Sequence, residues 1–224
     1  MFSRQGVMGA ATGSLLVYQI ELTNICNAAC AYCPQPGHGR PRGFMSLETF
    51  AEALRAMRNR CVSLHHFGEP LLHSGLEGFV SAAASGGFDV GFSTNGLGLD
   101  QRRLDRLREC GLSWLRLHTD PFGVRLSDFS VPAGLEFTEH RLLSGSDAPV
   151  KEMVSFSGFL GIPQPAQREC SYIVDGWRVV LWNGDLGLCC HDVEGSRSIS
   201  LCRGCSGYVF GSPRDWGSYD GGGA

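Results

Sequence analysis

The chain has 224 residues, 43% of them apolar, and a formal net charge of −3. That length can bury one core with a small appendage. The near-neutral charge argues against nucleic acid or an anionic membrane surface as a partner, and no apolar run is long enough to span a membrane. Residues 1–13 lack the apolar core of a signal peptide, so we expect a cytoplasmic protein.

Strands and helices are predicted to alternate along the first two thirds of the chain. Apolar residues recur with a period of two in the strands and at helical spacing in the helices. Ser46 and Asp100 are predicted N-caps, while Gly86-Gly87 and Gly111 end helices. The predicted strands are residues 17–22, 62–67, 90–93, 112–118, 135–138 and 150–154, and a hairpin is expected around Asp175-Gly176.

This alternation predicts an α/β fold in which helices wrap a parallel sheet. A full eight-unit barrel takes about 250 residues, so the chain has room for a partial (β/α)6 TIM-like barrel. From Cys170 the composition changes to cysteines, glycines and short apolar runs. The expected parts are an N-terminal extension (1–16), the partial barrel (17–162), a small C-terminal domain (163–210) and a flexible tail (211–224).

Ten cysteines are unusual in a cytoplasmic chain, where disulfides are unstable and thiolates more often bind metal. Cys26, Cys30 and Cys33 lie on one loop after the first strand, which is the edge where barrel active sites form. Three thiolates on a four-iron cluster leave one iron open for another ligand. The alternative is a zinc site with His38, although zinc loops favour pairs of cysteines two residues apart.

Three more motifs follow successive strands: Gly68-Glu69-Pro70, Ser93-Thr94-Asn95-Gly96 and His118-Thr119-Asp120. Together with the CxxxCxxC loop, these motifs resemble those of the radical S-adenosylmethionine (SAM) superfamily. The resemblance implies a [4Fe–4S] cluster on the three cysteines, whose open iron chelates the amino and carboxylate groups of SAM. The residues that it implies as SAM contacts are Tyr32, Gly68, Glu69, Ser93, Asn95 and Asp120.

Each implied contact has a physical role. Gly68 lacks a Cβ, so its backbone can approach the methionine amino group, with Glu69 nearby. Tyr32 is expected beside the adenine. Ser93, Asn95 and Asp120 are candidates for the ribose hydroxyls and the carboxylate. The alternative for Ser93 and Asn95 is that they only cap strand ends and turns.

A second group of cysteines lies near the C-terminus: Cys170, Cys189, Cys202 and Cys205. It resembles the twitch domain, a shortened SPASM domain that holds one auxiliary [4Fe–4S] cluster. Cys190 is an alternative to Cys189, and residues 190–201 are a shorter connection than the resemblance implies. The other interpretation is a zinc ribbon from Cys189 or Cys190 with His191, Cys202 and Cys205.

Within the superfamily, the resemblance is greatest to twitch-bearing dehydrogenases of aminocyclitols. It implies hydrogen-atom abstraction from a small-molecule alcohol in natural-product biosynthesis, with an external donor such as flavodoxin or ferredoxin. The arginine that accepts the proton in that group is absent from residues 154–158. Lys151, Glu152 and His140 are therefore the candidate catalytic residues.

Two other functions stay open. One is a maturase of ribosomally made peptides, acting on a peptide substrate. Only some 17 residues precede the first strand, which is few for a peptide-docking domain, so we expect a small molecule or a short peptide. The other is a non-catalytic zinc or iron–sulfur protein, which leaves Gly68-Glu69-Pro70 unexplained. Cys61 and Cys110 are predicted to be buried as small hydrophobes, and strand alternation requires one of His65 and His66 to face the barrel.

Overall fold

The computed structural model describes residues 7–30, 33, 37–118, 122–140 and 176–189, together with Asp192 and Gly195. This part of the chain forms three α-helices and one seven-stranded sheet. In chain order the elements are β1 (Leu16–Ile20), α1 (Leu47–Ala56), β2 (Cys61–Ser63), α2 (Leu76–Ser85), β3 (Asp89–Thr94), α3 (Gln101–Glu109), β4 (Trp114–His118), β5 (Glu136–His140), β6 (Trp177–Val180) and β7 (Leu186–Gly187).

The sheet has the strand order β5-β4-β3-β2-β1-β6-β7. Every neighbouring pair is parallel except β6 and β7, which are antiparallel. The prediction of an α/β partial barrel is thus confirmed. The predicted strand at 150–154 lies outside the described residues. No helix in the described ranges is both long and apolar enough to cross a membrane.

The helix ends follow from local sequence. Ser46 Oγ accepts a hydrogen bond from the backbone N–H of Thr49 at 3.1 Å and begins α1. Asp100 accepts from the N–H of Arg103 at 2.7 Å and begins α3. Because such caps satisfy N–H groups that lack a partner within the helix, both starts could be predicted from the residue type.

The hairpin of β6 and β7 joins the main sheet. β6 was expected in the C-terminal domain, but it pairs in parallel with β1 from Leu16↔Trp177 to Ile20↔Val180. The turn between β6 and β7 is formed by residues 181–185. The hairpin predicted around Asp175-Gly176 falls on residues up to 175 that lie outside the described ranges. The division of the chain into four parts remains a prediction.

The two faces of the sheet differ in chemistry because side chains alternate along each strand. One face packs against the helices to form the core, which includes Val62, Leu64, Val90, Phe92, Leu115 and Leu117 with Phe50, Phe79, Leu104 and Leu107 of the helices. We call the opposite side the inner face. On it Gln19 is opposite Ser63, and Ser93, Arg116 and Thr138 form a second polar row, one step nearer the carboxyl ends of the strands.

Trp114 lies on the inner face, one row below Ser93, Arg116 and Thr138. It is opposite Gly91 in the β3–β4 register, and a Cβ at Gly91 would overlap the Trp114 indole. The prediction that Cys61 is buried in the core is wrong, because Cys61 is half-buried. Cys110 is also half-buried, but it packs against the core as predicted. Cys61 shares the side of β2 that Ser63 occupies, and Cys110 follows the last turn of α3.

Candidate active site

The carboxyl ends of parallel strands meet at one edge of a sheet, and the predicted motifs lie at that edge. The cysteine loop leaves β1 there, with Cys26, Cys30 and Cys33 all half-buried. The backbone N–H of Cys33 donates to the carbonyl of Cys30 at 3.0 Å. Tyr32 and Asp120 lie outside the described residues.

Several N–H groups surround the sulfur of Cys26. Burial raises the pKa of the Cys26 thiol, and hydrogen bonds from the backbone N–H groups of Ala28 and Asn27 oppose that rise. The side-chain amide of Asn95 places its Nδ2 4.0 Å from Cys26 Sγ. Such donors stabilise the thiolate, which is the form that binds metal.

The cysteine loop fits an iron–sulfur cluster in the chemistry of its donors. Soft thiolates are the ligands of such clusters, and three of them leave one iron open. Within the ranges that the structure describes, no three His, Cys, Asp or Glu side chains are already arranged to hold a metal ion. The fit therefore rests on three half-buried thiols on one loop and on the N–H groups directed at Cys26.

Gly68 allows the end of β2 to pack against the start of the cysteine loop. A Cβ at Gly68 would overlap the carbonyl oxygen of Thr23. The next residue, Glu69, donates its backbone N–H to the carbonyl of Ile25 at 2.9 Å. β2 ends at Ser63, earlier than predicted, and the residues after it lead to this contact with the cysteine loop.

The Glu69 carboxylate joins the ends of β2 and β3. It accepts hydrogen bonds from the Leu71 N–H at 3.0 Å, the Thr94 hydroxyl at 2.7 Å and the Asn95 N–H at 2.9 Å. Burial raises the pKa of the Glu69 carboxyl, and these hydrogen bonds, with the charge of Arg103, oppose the rise. Three donors thus hold this side chain in one position.

Asn95 extends the same network to the cysteine loop. Its Nδ2 donates to Asn27 Oδ1 at 2.8 Å, and its Oδ1 accepts from the Leu97 N–H at 2.9 Å. The structure therefore unites the cysteine loop, the Gly68-Glu69 motif and the Thr94-Asn95 motif in one hydrogen-bonded unit.

Residues 20–122 match the radical SAM superfamily, and these are the residues that build the unit. The chain carries a radical SAM domain. Curated relatives include a GTP 3′,8-cyclase of Corynebacterium glutamicum, 34% identical over 116 residues (46% of this chain, 30% of the relative). A PqqA peptide cyclase of Ruegeria pomeroyi is 36% identical over 101 residues (43% and 27%). The chain thus matches about a third or less of the length of these relatives.

Solved structures show the same fold over more of the chain. BtrN in complex with AdoMet and 2-DOIA has a TM-score of 0.59 and 24% identity, covering 80% of this chain and 74% of BtrN. BtrN in an open conformation has a TM-score of 0.53 and 22% identity, covering 79% and 70%.

The base of the cysteine loop in the radical SAM domain is closed by an ion pair that the sequence did not suggest. Arg40 donates to both oxygens of Glu21 at 2.7 Å, and the side chains are 9% and 0% exposed. Asn24 reinforces the closure, since its Nδ2 donates to the Pro41 carbonyl at 2.8 Å and its Oδ1 accepts from the Gly43 N–H at 3.0 Å. A buried carboxylate needs a cationic partner. The chain has nineteen Lys and Arg residues, and the sequence does not indicate which of them pairs with Glu21.

The β6–β7 hairpin covers this base. Trp182 donates its indole N–H to the Pro41 carbonyl at 3.1 Å, and a Cβ at Gly43 would overlap the Trp182 ring. Cys189 follows β7 and is buried. Gly195 lies close to Leu181 and Arg40, and a Cβ on Gly195 would contact both side chains.

The remaining predicted site residues are placed as follows. His140 ends β5 opposite His118 of β4. Ser93 ends the inner-face row of β3, is 7% exposed, and donates its backbone N–H to His65 Nδ1 at 3.2 Å. Outside the described residues lie Lys151, Glu152, Cys170, Cys202 and Cys205, along with Cys190 and His191 of the zinc alternative.

Both histidines after β2 contact Gln19 of the inner face, and His65 has further contacts there. Its Nδ1 lies 2.7 Å from Ser63 Oγ and accepts from the Ser93 N–H. The Gln19 amide lies between His65 Nε2 at 3.4 Å and His66 Nδ1 at 3.2 Å. Burial lowers the pKa of His65 well below 6.5, and the nearby charges of His118, Arg116 and His66 lower it further.

Acidification is expected to reduce folding stability through His65. The pKa of His65 is depressed in the folded protein, so the unfolded chain takes up the proton first as the pH falls below 6.5. Above pH 6.5 the free energy of unfolding is not reduced by this effect. Below it, the free energy of unfolding falls by about 1.4 kcal/mol per pH unit until the pH reaches the pKa of His65 in the folded protein. His65→Asn keeps an acceptor near Nδ1 without titrating. Urea unfolding measured from neutral pH to about pH 5 should show that the free energy of unfolding falls less steeply with pH in His65→Asn than in the wild type. Equal slopes for the two proteins would contradict this prediction.

Proposed function

We propose that this radical SAM enzyme oxidises a small-molecule alcohol by two electrons, through hydrogen-atom abstraction, in natural-product biosynthesis. The observation that supports this most is the extent of the likeness to BtrN bound to AdoMet and 2-DOIA, which covers 80% of the chain. The matches to the GTP 3′,8-cyclase and the PqqA peptide cyclase cover a smaller share of this chain, 46% and 43%. The proposal places the enzyme in the cytoplasm, where thiols stay reduced, with flavodoxin or ferredoxin as the electron donor.

In this proposal Cys26, Cys30 and Cys33 hold a [4Fe–4S] cluster. The chemistry that such a cluster supplies with SAM is one-electron cleavage of the sulfonium, which yields a 5′-deoxyadenosyl radical. The protein's own contribution is to orient the loop: Glu69 fixes Asn95, and Asn95 holds Asn27 beside Cys26.

The SAM contacts proposed are Tyr32, Gly68, Glu69, Ser93, Asn95 and Asp120. The Glu69 carboxylate already accepts three hydrogen bonds from the protein. We therefore assign Glu69 a positioning role, in which it holds the Thr94 hydroxyl and the backbone N–H groups of Leu71 and Asn95. His140, Lys151 and Glu152 remain the proposed proton acceptors.

An auxiliary [4Fe–4S] cluster on Cys170, Cys189, Cys202 and Cys205 is proposed as the acceptor of the second electron. Its support is that buried Cys189 belongs to the segment that follows β7 and that packs, through Gly195, near Arg40 at the base of the first loop. A zinc ribbon with Cys189 or Cys190 and His191 is the competing assignment.

A peptide-modifying maturase is the second candidate. The observation that favours it is the 36% identity to a PqqA peptide cyclase over 101 residues. The two candidates differ in the substrate that stimulates SAM cleavage: a polyol for the first, and a peptide for the second.

The metal content separates the cluster assignments. After anaerobic reconstitution, two four-iron clusters should give about eight iron and eight sulfide per chain, and Cys189→Ser should reduce both to about four. Cys61→Ser is the matched control and should leave the count unchanged. Zinc retained in place of the second set of iron would remove the auxiliary cluster from the proposal.

The reaction itself is tested with polyols deuterated at their carbinol carbons. Reduced enzyme and SAM should transfer deuterium into 5′-deoxyadenosine and form a ketone that a hydrazine reagent captures. Deuterium transfer without ketone would contradict an oxidation, and stimulation of SAM cleavage by peptides alone would favour the maturase.

A further inference from the structure

The three proposed cluster ligands lie on a loop whose two ends meet just after β1. Glu21 and Arg40 are 19 positions apart, and Cys26, Cys30 and Cys33 all lie between them. A loop whose ends are free has more conformations to lose when its thiolates gather on one cluster. Contacts that fix the loop ends therefore lower the entropy cost of binding the cluster.

A buried ion pair and the backbone beside it fix these ends. The Arg40 guanidinium donates to both oxygens of the Glu21 carboxylate at 2.7 Å, and the two side chains are 9% and 0% exposed. A planar guanidinium can make these two parallel hydrogen bonds, whereas a lysine ammonium cannot. One position further from the loop on the β1 side, the carbonyl of Leu22 accepts from the Met45 N–H at 2.8 Å.

The β6–β7 hairpin contacts the same closure. The backbone N–H of Trp182 donates to Glu21 Oε2 at 3.4 Å, and its indole N–H donates to the Pro41 carbonyl at 3.1 Å. Beyond β7 the chain returns to Arg40, since a Cβ on Gly195 would lie 3.6 Å from Arg40 Cδ. The hairpin therefore contacts the ion pair and the residue that follows Arg40.

We propose that Arg40 and Trp182 are positioning residues, through which the β6–β7 hairpin holds the cysteine loop ready for its cluster. The inference rests on the proposed ligation by Cys26, Cys30 and Cys33, and it applies equally to an alcohol or a peptide substrate. Arg40 and Trp182 act through the loop ends and not by contact with the cluster or SAM. A hairpin that is distant in sequence thus sets how firmly the loop retains iron.

The positioning role of the ion pair can be separated from its effect on stability. Removing one partner of a buried pair leaves an uncompensated charge, whereas replacing both by apolar side chains of similar size is often neutral. The double variant Glu21→Leu/Arg40→Met should therefore unfold at about the same urea concentration as the wild type. It should nevertheless lack the two parallel hydrogen bonds that fix the loop ends.

Two rates are measured on the reconstituted full-length protein without reductant: amide hydrogen exchange by mass spectrometry, and release of iron to a chelator. In the double variant both rates should rise about tenfold, with the faster exchange in residues 21–45, because charge-assisted hydrogen bonds are lost. Peptides from α3 should exchange at the wild-type rate. Arg40→Lys should give intermediate rates, because it keeps the charge and loses the parallel geometry.

Arg106→Met is the matched control. Arg106 of α3 also faces a glutamate, Glu77 of α2 at 3.9 Å, but its side chain is 45% exposed. This variant should exchange and release iron as the wild type does. Trp182→Ala leaves the ion pair in place and should raise both rates by a smaller factor. It is also the second variant if the double variant does not fold.

The inference is overturned if the folded double variant keeps the wild-type exchange and iron-release rates. It is also overturned if exchange in α3 rises as much as in residues 21–45, because the pair would then act through global stability alone. Wild-type rates in Trp182→Ala would overturn it as well, since the hairpin would not act on the loop. Failure of the wild type to retain iron would count against the proposed ligands alone, because hydrogen exchange still reports on the loop ends.

Discussion

Cys30→Ser is expected to remove about four iron and four sulfide per chain and to reduce SAM cleavage to background. A serine hydroxyl stays protonated at neutral pH and is a poor ligand for iron in a sulfide cluster, so the remaining two thiolates cannot hold a four-iron cluster in place. The measurements are iron and sulfide analysis after anaerobic reconstitution, and 5′-deoxyadenosine formed with dithionite as reductant.

Cys110→Ser is the control for the general loss of a thiol. Cys110 follows α3 and is half-buried, as Cys30 is, but it lies on no predicted cluster loop. It should retain full iron content and SAM cleavage. Equal losses in the two variants would show that the assay reports folding rather than ligation, and retained iron in Cys30→Ser would contradict the ligand assignment.

Much of the fold and the cysteine loop could be predicted because the signals are local. Ser46 and Asp100 cap helices through contacts three residues away. The motifs at Gly68-Glu69 and Thr94-Asn95 follow strands whose apolar runs are visible in the sequence. Parallel strands bring their carboxyl ends together, so a shared site followed from strand order alone.

The contacts that assemble the site could not be predicted, because they join distant residues. Arg40 reaches Glu21 across 19 positions, and Asn95 reaches Asn27 across 68. The backbone N–H of Trp182 donates to Glu21 Oε2 across 161 positions, at 3.4 Å. Periodicity assigns each residue to a face of its own element but not to a partner. The placement of β6 beside β1 was missed for the same reason.

Gly68 shows that one glycine can be required by packing that the sequence does not reveal. The sequence indicates that no Cβ is tolerated, and the resemblance suggests a ligand that comes close. In the structure the carbonyl of Thr23 fills the space that a Cβ would take. Packing therefore requires glycine here before any ligand binds, while a SAM contact by the same backbone remains a proposal.

Gly68→Ala should consequently reduce the free energy of unfolding by about 1–3 kcal/mol or more, as overpacking does. It should also reduce the iron content, because the displaced Thr23–Ile25 segment leads directly into Cys26. Gly78→Ala is the control with the opposite sign: nothing lies within 4 Å of a Cβ at Gly78 in α2. That substitution should stabilise the protein by roughly 0.5–1 kcal/mol, since alanine favours helix.

Urea unfolding and iron analysis of the two variants separate packing from ligand approach as the reason for glycine. If Gly68→Ala loses stability and iron together, the contact with Thr23 accounts for the residue. If it keeps the stability and iron of the wild type but binds SAM more weakly, the packing argument is wrong and the space is reserved for SAM. A loss of stability in Gly78→Ala as well would mean that α2 tolerates no added methyl group, contrary to the open space beside it.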